Sequence, residues 1–136
     1  MLFRSHGWLY YPSKKFAHLI HPELQTPDLL LQQIDAACMA LIDYDPHFWP
    51  NIPKGESLFL HKVAVLRVYA GKSYVREFVD FAKGKAVGRG IQSLRLDCHL
   101  RRYKVRAVYE KLGFACVEET VLFGQYETAL YICNLS

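Results

Sequence analysis

The chain has 136 residues, of which 51% are hydrophobic and 22% are charged; this is the composition of an ordinary globular protein rather than of a disordered segment. Its length predicts a single domain, residues 1–136, with one hydrophobic core. No apolar run approaches the ~18 residues of a membrane span, and the N-terminus lacks the long apolar stretch of a signal peptide, so we expect a cytoplasmic protein.

Charge and cysteine spacing narrow the possible partners. The net charge of +4 is mild, and much of the basic excess lies in two runs, 83–89 and 101–106. Such runs are usually solvated helix faces, although an anionic partner is the alternative. The four cysteines are widely spaced and the six histidines are scattered. We therefore expect buried or half-buried thiols in strands and no metal site.

The first third of the chain is the least legible. Residues 1–28 receive no assignment. Residues 29–44, "LLLQQIDAACMALIDY", fit either two short strands meeting near Asp35 and Ala36 or one helix, because short apolar runs suit both periods. We favour strands, since a proline-containing loop follows.

From residue 56 onward the elements are clearer. Residues 56–66 read as a mostly apolar strand near the centre of a sheet. A helix follows, with Ser73 as a plausible N-cap and Gly88 and Gly90 as candidates for the left-handed residue that ends it. Its apolar stripe consists of Val75, Phe78, Val79, Ala82 and Ala86.

A second strand–helix pair and a hairpin complete the order. Residues 93–98 form a strand that ends at Asp97 and Cys98, and we expect Asp97 to pair with Arg95 or Arg101. A second helix, ended by Gly113, is marked by the apolar residues Val105, Val108, Tyr109 and Leu112. Segments 114–123 and 126–133 read as an antiparallel hairpin. The fold class is therefore α/β with a mixed sheet.

The turn at Gly71-Lys72-Ser73 raises the question of a phosphate site. A nucleotide-triphosphate loop needs a further glycine five residues before the second one, and Leu66 occupies that position. A strand that turns into a helix still directs backbone N–H groups and the positive helix end at one spot, which attracts phosphate. The alternative is a plain turn with solvated Lys72 and Arg76.

Three segments in order resemble the GNAT superfamily of N-acetyltransferases. They are "LHKVAVLRVYAGKSYV" (60–75), "GIQSLRLDC" (90–98) and "VRAVYEKLGF" (105–114), and the resemblance covers about 37–133. It implies a mostly antiparallel sheet with one parallel strand pair at the cofactor site, flanked by helices. It also implies that residues 1–36 form an abbreviated acceptor side, so we expect a homodimer whose second subunit completes it.

The resemblance implies that acetyl-CoA is the cosubstrate. The backbone of the strand at Val63 and Val65 would meet the pantetheine arm, with the Val65 amide polarising the thioester carbonyl. Arg76 and Arg102 would lie near the phosphates. The pyrophosphate loop falls on Ala70, Gly71, Lys72, Ser73, Tyr74 and Val75. Ala70 stands for the usual Gln or Arg, Ser73 for a glycine and Val75 for a small residue, so lost cofactor binding is the alternative.

The resemblance also implies catalytic groups. Tyr109 matches the tyrosine that donates a proton to the CoA sulfur; the alternative is that it only packs in the core. Glu56 and His61 are the candidate bases, and a histidine titrates in the appropriate range. The expected reaction is direct acetyl transfer to a primary amine of a small molecule or peptide. The alternatives are an inactive binding or regulatory module of the same fold, and a polyanion binder, for which no recognition motif is present.

Overall fold

The computed structural model describes residues 2–4, 7–10, 37–65 and 74–135, and within them the side chains of 39–61, 63 and 74–135. The elements in these residues are β1 (Leu2–Arg4), β2 (Gly7–Tyr10), β3 (Ala37–Ile42), β4 (Leu58–Val65), α1 (Tyr74–Gly88), β5 (Ser93–His99), α2 (Tyr103–Lys111), β6 (Ala115–Leu122) and β7 (Tyr126–Asn134).

The seven strands form one sheet in the order β1-β2-β3-β4-β5-β7-β6. Strands β4 and β5 pair in parallel, and every other neighbouring pair is antiparallel. This confirms the predicted fold class, a mostly antiparallel mixed sheet with one parallel pair. The strand expected at the end of 29–44 is confirmed as β3, whereas residues 29–36 lie outside the described part. The N-terminal strands β1 and β2 had received no assignment.

Both helices pack on one face of the sheet. Four residues of the predicted α1 stripe are buried, namely Phe78, Val79, Ala82 and Ala86. In α2 only Tyr109 is buried, whereas Val108 is 41% exposed, so its expected place in the apolar stripe was wrong. The reason is that α2 is short and a single residue of it reaches the shared core, with Val105 and Leu112 at its margin.

Glycines end both helices as predicted, with one change of detail. Gly90 has φ +71° and Gly113 has φ +103°, the left-handed conformation that side chains disfavour. Gly88 is instead the last residue of α1. The expected N-cap, Ser73, lies outside the described residues.

The opposite face of the sheet is covered by residues 43–57, which connect β3 to β4. Trp49 packs there against Phe59 and Leu130, the residues that alternate with the helix-facing positions of β4 and β7. Arg95 holds this connection in place: its Nε donates to Ser57 Oγ at 2.9 Å, and its guanidinium lies 4.9 Å from the Trp49 ring centre.

A hydrogen-bond network joins α2 to the β6–β7 hairpin. Arg106 Nε donates to the Tyr131 hydroxyl at 2.8 Å, Nη1 to the Leu100 carbonyl at 2.8 Å, and Nη2 to Glu119 Oε2 at 2.6 Å. The Tyr131 hydroxyl in turn donates to Glu110 Oε2 at 2.6 Å. The helix is thus fixed to both strands by charge-assisted bonds.

Candidate active site

The central feature of the sheet is the point at which its two parallel strands separate. The register of β4 and β5 is Leu58↔Leu94, Phe59↔Arg95 and Leu60↔Leu96, and the two strands then continue to Val65 and His99. Beyond these three pairs, the backbone of β4 at 62–65 has no β5 partner among the described residues. Its N–H and C=O groups on that side are available to a ligand that carries amides.

A cleft of about 320 Å³ opens at this separation. It is lined by His61 and Val63 from β4, and by Arg102 and Tyr109 from the start and the middle of the α2 segment. The fold therefore brings together four residues that the sequence had selected as catalytic or cofactor-binding.

Other selected residues lie elsewhere. Glu56 is exposed, lies 3.7 Å from an Arg95 guanidinium nitrogen, and lines a different depression before the start of β4. Tyr74 and Val75 pack against the core at the start of α1, and Arg76 beside them is exposed.

The remaining cofactor positions are at the edge of the described structure. The backbone of Val65 ends β4 and pairs with Ala37. The loop residues Ala70, Gly71, Lys72 and Ser73 lie outside the described part of the chain, so their assignment stays a prediction.

Tyr109 is set deep in the cleft wall. It is 4% exposed and meets the Phe114 ring edge-on, with 5.8 Å between the ring centres. Burial, reinforced by the Cys98 thiol, raises the pKa of Tyr109 above its ordinary value. The phenol therefore remains protonated at neutral pH, as a proton donor must.

Asp97 is the functional candidate that the sequence analysis missed. It lines the same cleft, and burial, together with the nearby Asp45 carboxylate, raises its pKa to about 7. The expected ion pair was wrong, because Arg95 contacts Ser57 and Glu56 instead, while Arg101 lies 3.4 Å from Glu127. A carboxylate with this pKa exchanges protons near neutral pH, which suits a general base.

Asp45 places a second, more deeply buried carboxyl group next to the cleft. It is 5% exposed, and its Oδ2 accepts no hydrogen bond from the described residues. That oxygen lies 4.0 Å from His61 Nδ1. The connection 43–57 thus places a buried carboxylate beside a cleft-lining histidine, a juxtaposition that the linear sequence does not reveal.

Cys98 also lines the cleft but is not suited to nucleophilic chemistry. Burial raises the pKa of its thiol to about 11. The thiolate is the reactive form of cysteine, and it is scarce at neutral pH under these conditions. The arrangement therefore favours direct transfer over a covalent intermediate on cysteine.

The fold and the cleft agree with the family comparison. A sequence model described as the acetyltransferase (GNAT) family matches residues 10–114. The chain therefore belongs to this family of acyltransferases, which confirms the resemblance carried by its three motifs. A search of curated protein sequences finds no match.

Solved structures show the same fold at low identity. A GNAT-family acetyltransferase from Listeria monocytogenes is 23% identical, with a TM-score of 0.58, over 74% of this chain and 58% of that one. Nourseothricin acetyltransferase is 14% identical, with a TM-score of 0.62, over 74% and 58%. The NatC complex bound to Gag peptide and CoA is 18% identical, with a TM-score of 0.59, over 74% and 62%. The matched region thus spans about three-fifths of each of these chains.

Two further findings concern the described residues. None of their helices is long and apolar enough to cross a membrane. They also contain no group of three or more His, Cys, Asp or Glu side chains arranged to hold a metal ion.

Proposed function

We propose that the protein is an N-acetyltransferase that moves the acetyl group of acetyl-CoA directly to a primary amine. The observation that carries the proposal is the cleft at the β4–β5 separation, because it combines a free strand edge with Asp97 and Tyr109. A strand edge can align a pantetheine arm, Tyr109 holds a proton at neutral pH, and Asp97 can exchange one there, as acyl transfer to nitrogen requires.

The proposed position of acetyl-CoA follows from the strand edge. The pantetheine amides would bond to the backbone of β4 at Val63 and Val65, and one of these N–H groups would stabilise the thioester oxygen as it gains charge. The pyrophosphate would lie at 70–73 and the start of α1, with Arg76 and Arg102 adding positive charge. The presence of CoA in the NatC complex supports this choice of cosubstrate.

The proposed chemistry uses one base and one acid. Asp97 accepts a proton from the incoming ammonium group, and the neutral nitrogen attacks the thioester carbonyl carbon. A C–N bond forms, the C–S bond breaks, and Tyr109 donates its proton to the departing sulfur. The second proton that the nitrogen loses as it becomes an amide returns to the Tyr109 phenolate and restores the phenol. His61 is the second candidate base, positioned beside Asp45. We do not assign Glu56 this role, because it lies outside the cleft.

The proposal retains the wider expectations from the sequence. They are a cytoplasmic location, a small-molecule or peptide amine as acceptor, and a homodimer. The Gag peptide in the NatC complex is consistent with a peptide acceptor in that protein.

Cofactor binding is the first test. Acetyl-CoA at ~100 times its Kd should stabilise the protein by about 2.7 kcal/mol, which a thermal-shift measurement detects.

The acid role is tested by Tyr109→Phe, which should lower kcat by about 100-fold or more while leaving acetyl-CoA affinity within about twofold. Tyr103→Phe is the matched control, because Tyr103 is an exposed tyrosine on the same helix.

The results of these two experiments distinguish an active acetyltransferase from an inactive binding or regulatory module of the same fold. Binding without acetyl transfer to any amine would favour the regulatory module. Absence of a thermal shift at millimolar acetyl-CoA would contradict the proposal altogether. Unchanged turnover in Tyr109→Phe would remove the acid assignment alone.

A further inference from the structure

A continuous set of aromatic rings borders the candidate active site. We call Phe48, His99, Phe123 and Tyr126 the aromatic wall. Phe48 meets Phe123 edge-on at 5.7 Å and Tyr126 at 5.9 Å between ring centres, and His99 meets Tyr126 at 6.1 Å. Phe48, His99 and Tyr126 also line the cleft. The wall therefore extends from the reacting groups outward to the β6–β7 turn.

Phe123 occupies a backbone position that its side chain disfavours. It has φ +54°, the next residue Gly124 has φ +80°, and Gln125 N–H donates to the Leu122 carbonyl at 3.2 Å. Hairpin-turn positions with positive φ favour Gly and Asn over other residues. An aromatic residue there is strained.

Core packing does not account for this residue, since Phe123 is 64% exposed. Its ring contact within the wall is with Phe48. A strained backbone that presents an exposed ring beside an active-site cleft is the kind of outlier that indicates a binding role.

Two carboxyl groups lie inside the wall or next to it. Asp97 lines the cleft, and the Asp45 oxygen that lacks a hydrogen bond from the described residues lies behind His61. Carboxylates and aromatic faces both attract an ammonium group. Arg102, the arginine of the cleft lining, is the one we assign to the phosphates of acetyl-CoA.

We propose that the acceptor is a primary amine bearing an aromatic ring a few bonds from its nitrogen. The amino group lies at Asp97 and the ring packs on the aromatic wall. This inference rests on the proposed acetyl transfer and specifies its acceptor. The same chemistry is offered by a free arylalkylamine and by a peptide whose first residue is phenylalanine.

The first experiment compares acceptors in matched pairs. One pair is 2-phenylethylamine and butylamine; the other is a peptide beginning with Phe and the same peptide beginning with Ala. We expect kcat/KM to be about tenfold higher for the aromatic member of at least one pair. The pair that shows this preference identifies whether the acceptor is a free arylalkylamine or a peptide. Acetylation of all four acceptors without an aromatic preference would overturn this inference and leave the proposed function intact. Acetyl-CoA binding without any acetylation would count against both.

The second experiment uses the strained turn. Phe123→Asn should raise KM for the preferred aromatic acceptor about three- to tenfold, with little change for its aliphatic partner. It should also raise Tm by a few degrees, because Asn accepts the left-handed backbone. Phe123→Gly should behave similarly, and Val117→Thr, which removes another exposed apolar side chain of β6, is the control. An unchanged KM for the aromatic acceptor in both Phe123 variants would overturn the inference.

Discussion

At the scale of single residues, the sequence selected the residue that we propose as the acid but not the one that we propose as the base. Tyr109 could be selected because its neighbours repeat a family pattern on one helix. Asp97 could not, because its altered proton affinity depends on burial and on Asp45, which lies 52 positions earlier and reaches it only in the folded chain. Charge partners are likewise a property of the fold: Arg95 and Arg101, adjacent to Asp97 in sequence, contact Glu56 and Glu127.

The proton equilibrium of Asp97 predicts the pH dependence of activity. Because the carboxylate is the proposed base, kcat/KM should rise with pH through an apparent pKa near 7. Asp97→Asn should lower kcat/KM by about 100-fold at pH 8 and remove that rise. Values of kcat/KM for the wild type and the variant, measured from pH 5 to 9, test this. The variant His61→Gln is included because, if the histidine were the base, His61→Gln rather than Asp97→Asn would lose the rise of kcat/KM with pH.

The same group predicts how stability depends on pH. The folded protein holds the Asp97 proton up to about pH 7, whereas the unfolded chain releases it near 3.8, so this group lowers the stability as pH rises between those values. The difference sets an upper limit of about 4 kcal/mol. Asp97→Asn should therefore match the wild type near pH 4 and exceed it at pH 8 in urea unfolding. Asp80→Asn, at an exposed carboxylate of α1, is the control.

At the scale of elements, hydrophobic periodicity located every helix and strand that the structure describes after residue 56. The α1 stripe and the alternating strands are long enough for their period to identify them. The method did not extend to β1 and β2, which have three and four residues. It also predicted that Val108 is buried. The repeat of apolar residues does not show how much of the surface of α2 the sheet covers, and the sheet does not cover Val108.

Gly84 offers a prediction at this scale. It lies in the interior of α1, is exposed, and a Cβ built on it meets nothing within 4 Å. Gly84→Ala should raise the free energy of unfolding by about 1 kcal/mol, because alanine loses less backbone entropy on forming a helix. Urea denaturation measures the change. Gly113→Ala is the contrasting variant, which should be destabilising since φ there is +103°; a loss of stability in Gly84→Ala would contradict the account.

At the scale of the whole molecule, the sheet consists of two halves. Strands β1–β4 and β5–β7 meet through three residue pairs, from Leu58↔Leu94 to Leu60↔Leu96. The sequence indicated that β4 and β5 are parallel, since a helix connects the two strands. It did not indicate where their pairing ends, because the distance between two backbones cannot be deduced from the amino-acid composition. The single domain and the homodimer stay predictions.

Ligand binding between the halves predicts a localised change in dynamics. Amides of residues 61–65 that bond to pantetheine should exchange with solvent at least about tenfold more slowly when acetyl-CoA is saturating. Hydrogen-exchange mass spectrometry of the free and bound protein measures this. Segment 115–121, in the edge strand β6 that β5 and β7 separate from β4, serves as the internal reference; equal slowing in both regions, or none at 61–65, would contradict the proposed binding edge.

The bonds made by Arg106 also determine which parts of the active site can shift relative to one another. They clamp the helix bearing Tyr109 to the hairpin bearing Phe123 and Tyr126, and β7 of that hairpin is paired along seven residues with the strand bearing Asp97. The proposed acid, the proposed base and the proposed acceptor surface therefore belong to one bonded unit. Strand β4, along which we propose that the thioester lies, is joined to this unit by three residue pairs with β5, so a shift of β4 would move the thioester relative to an already assembled set of side chains.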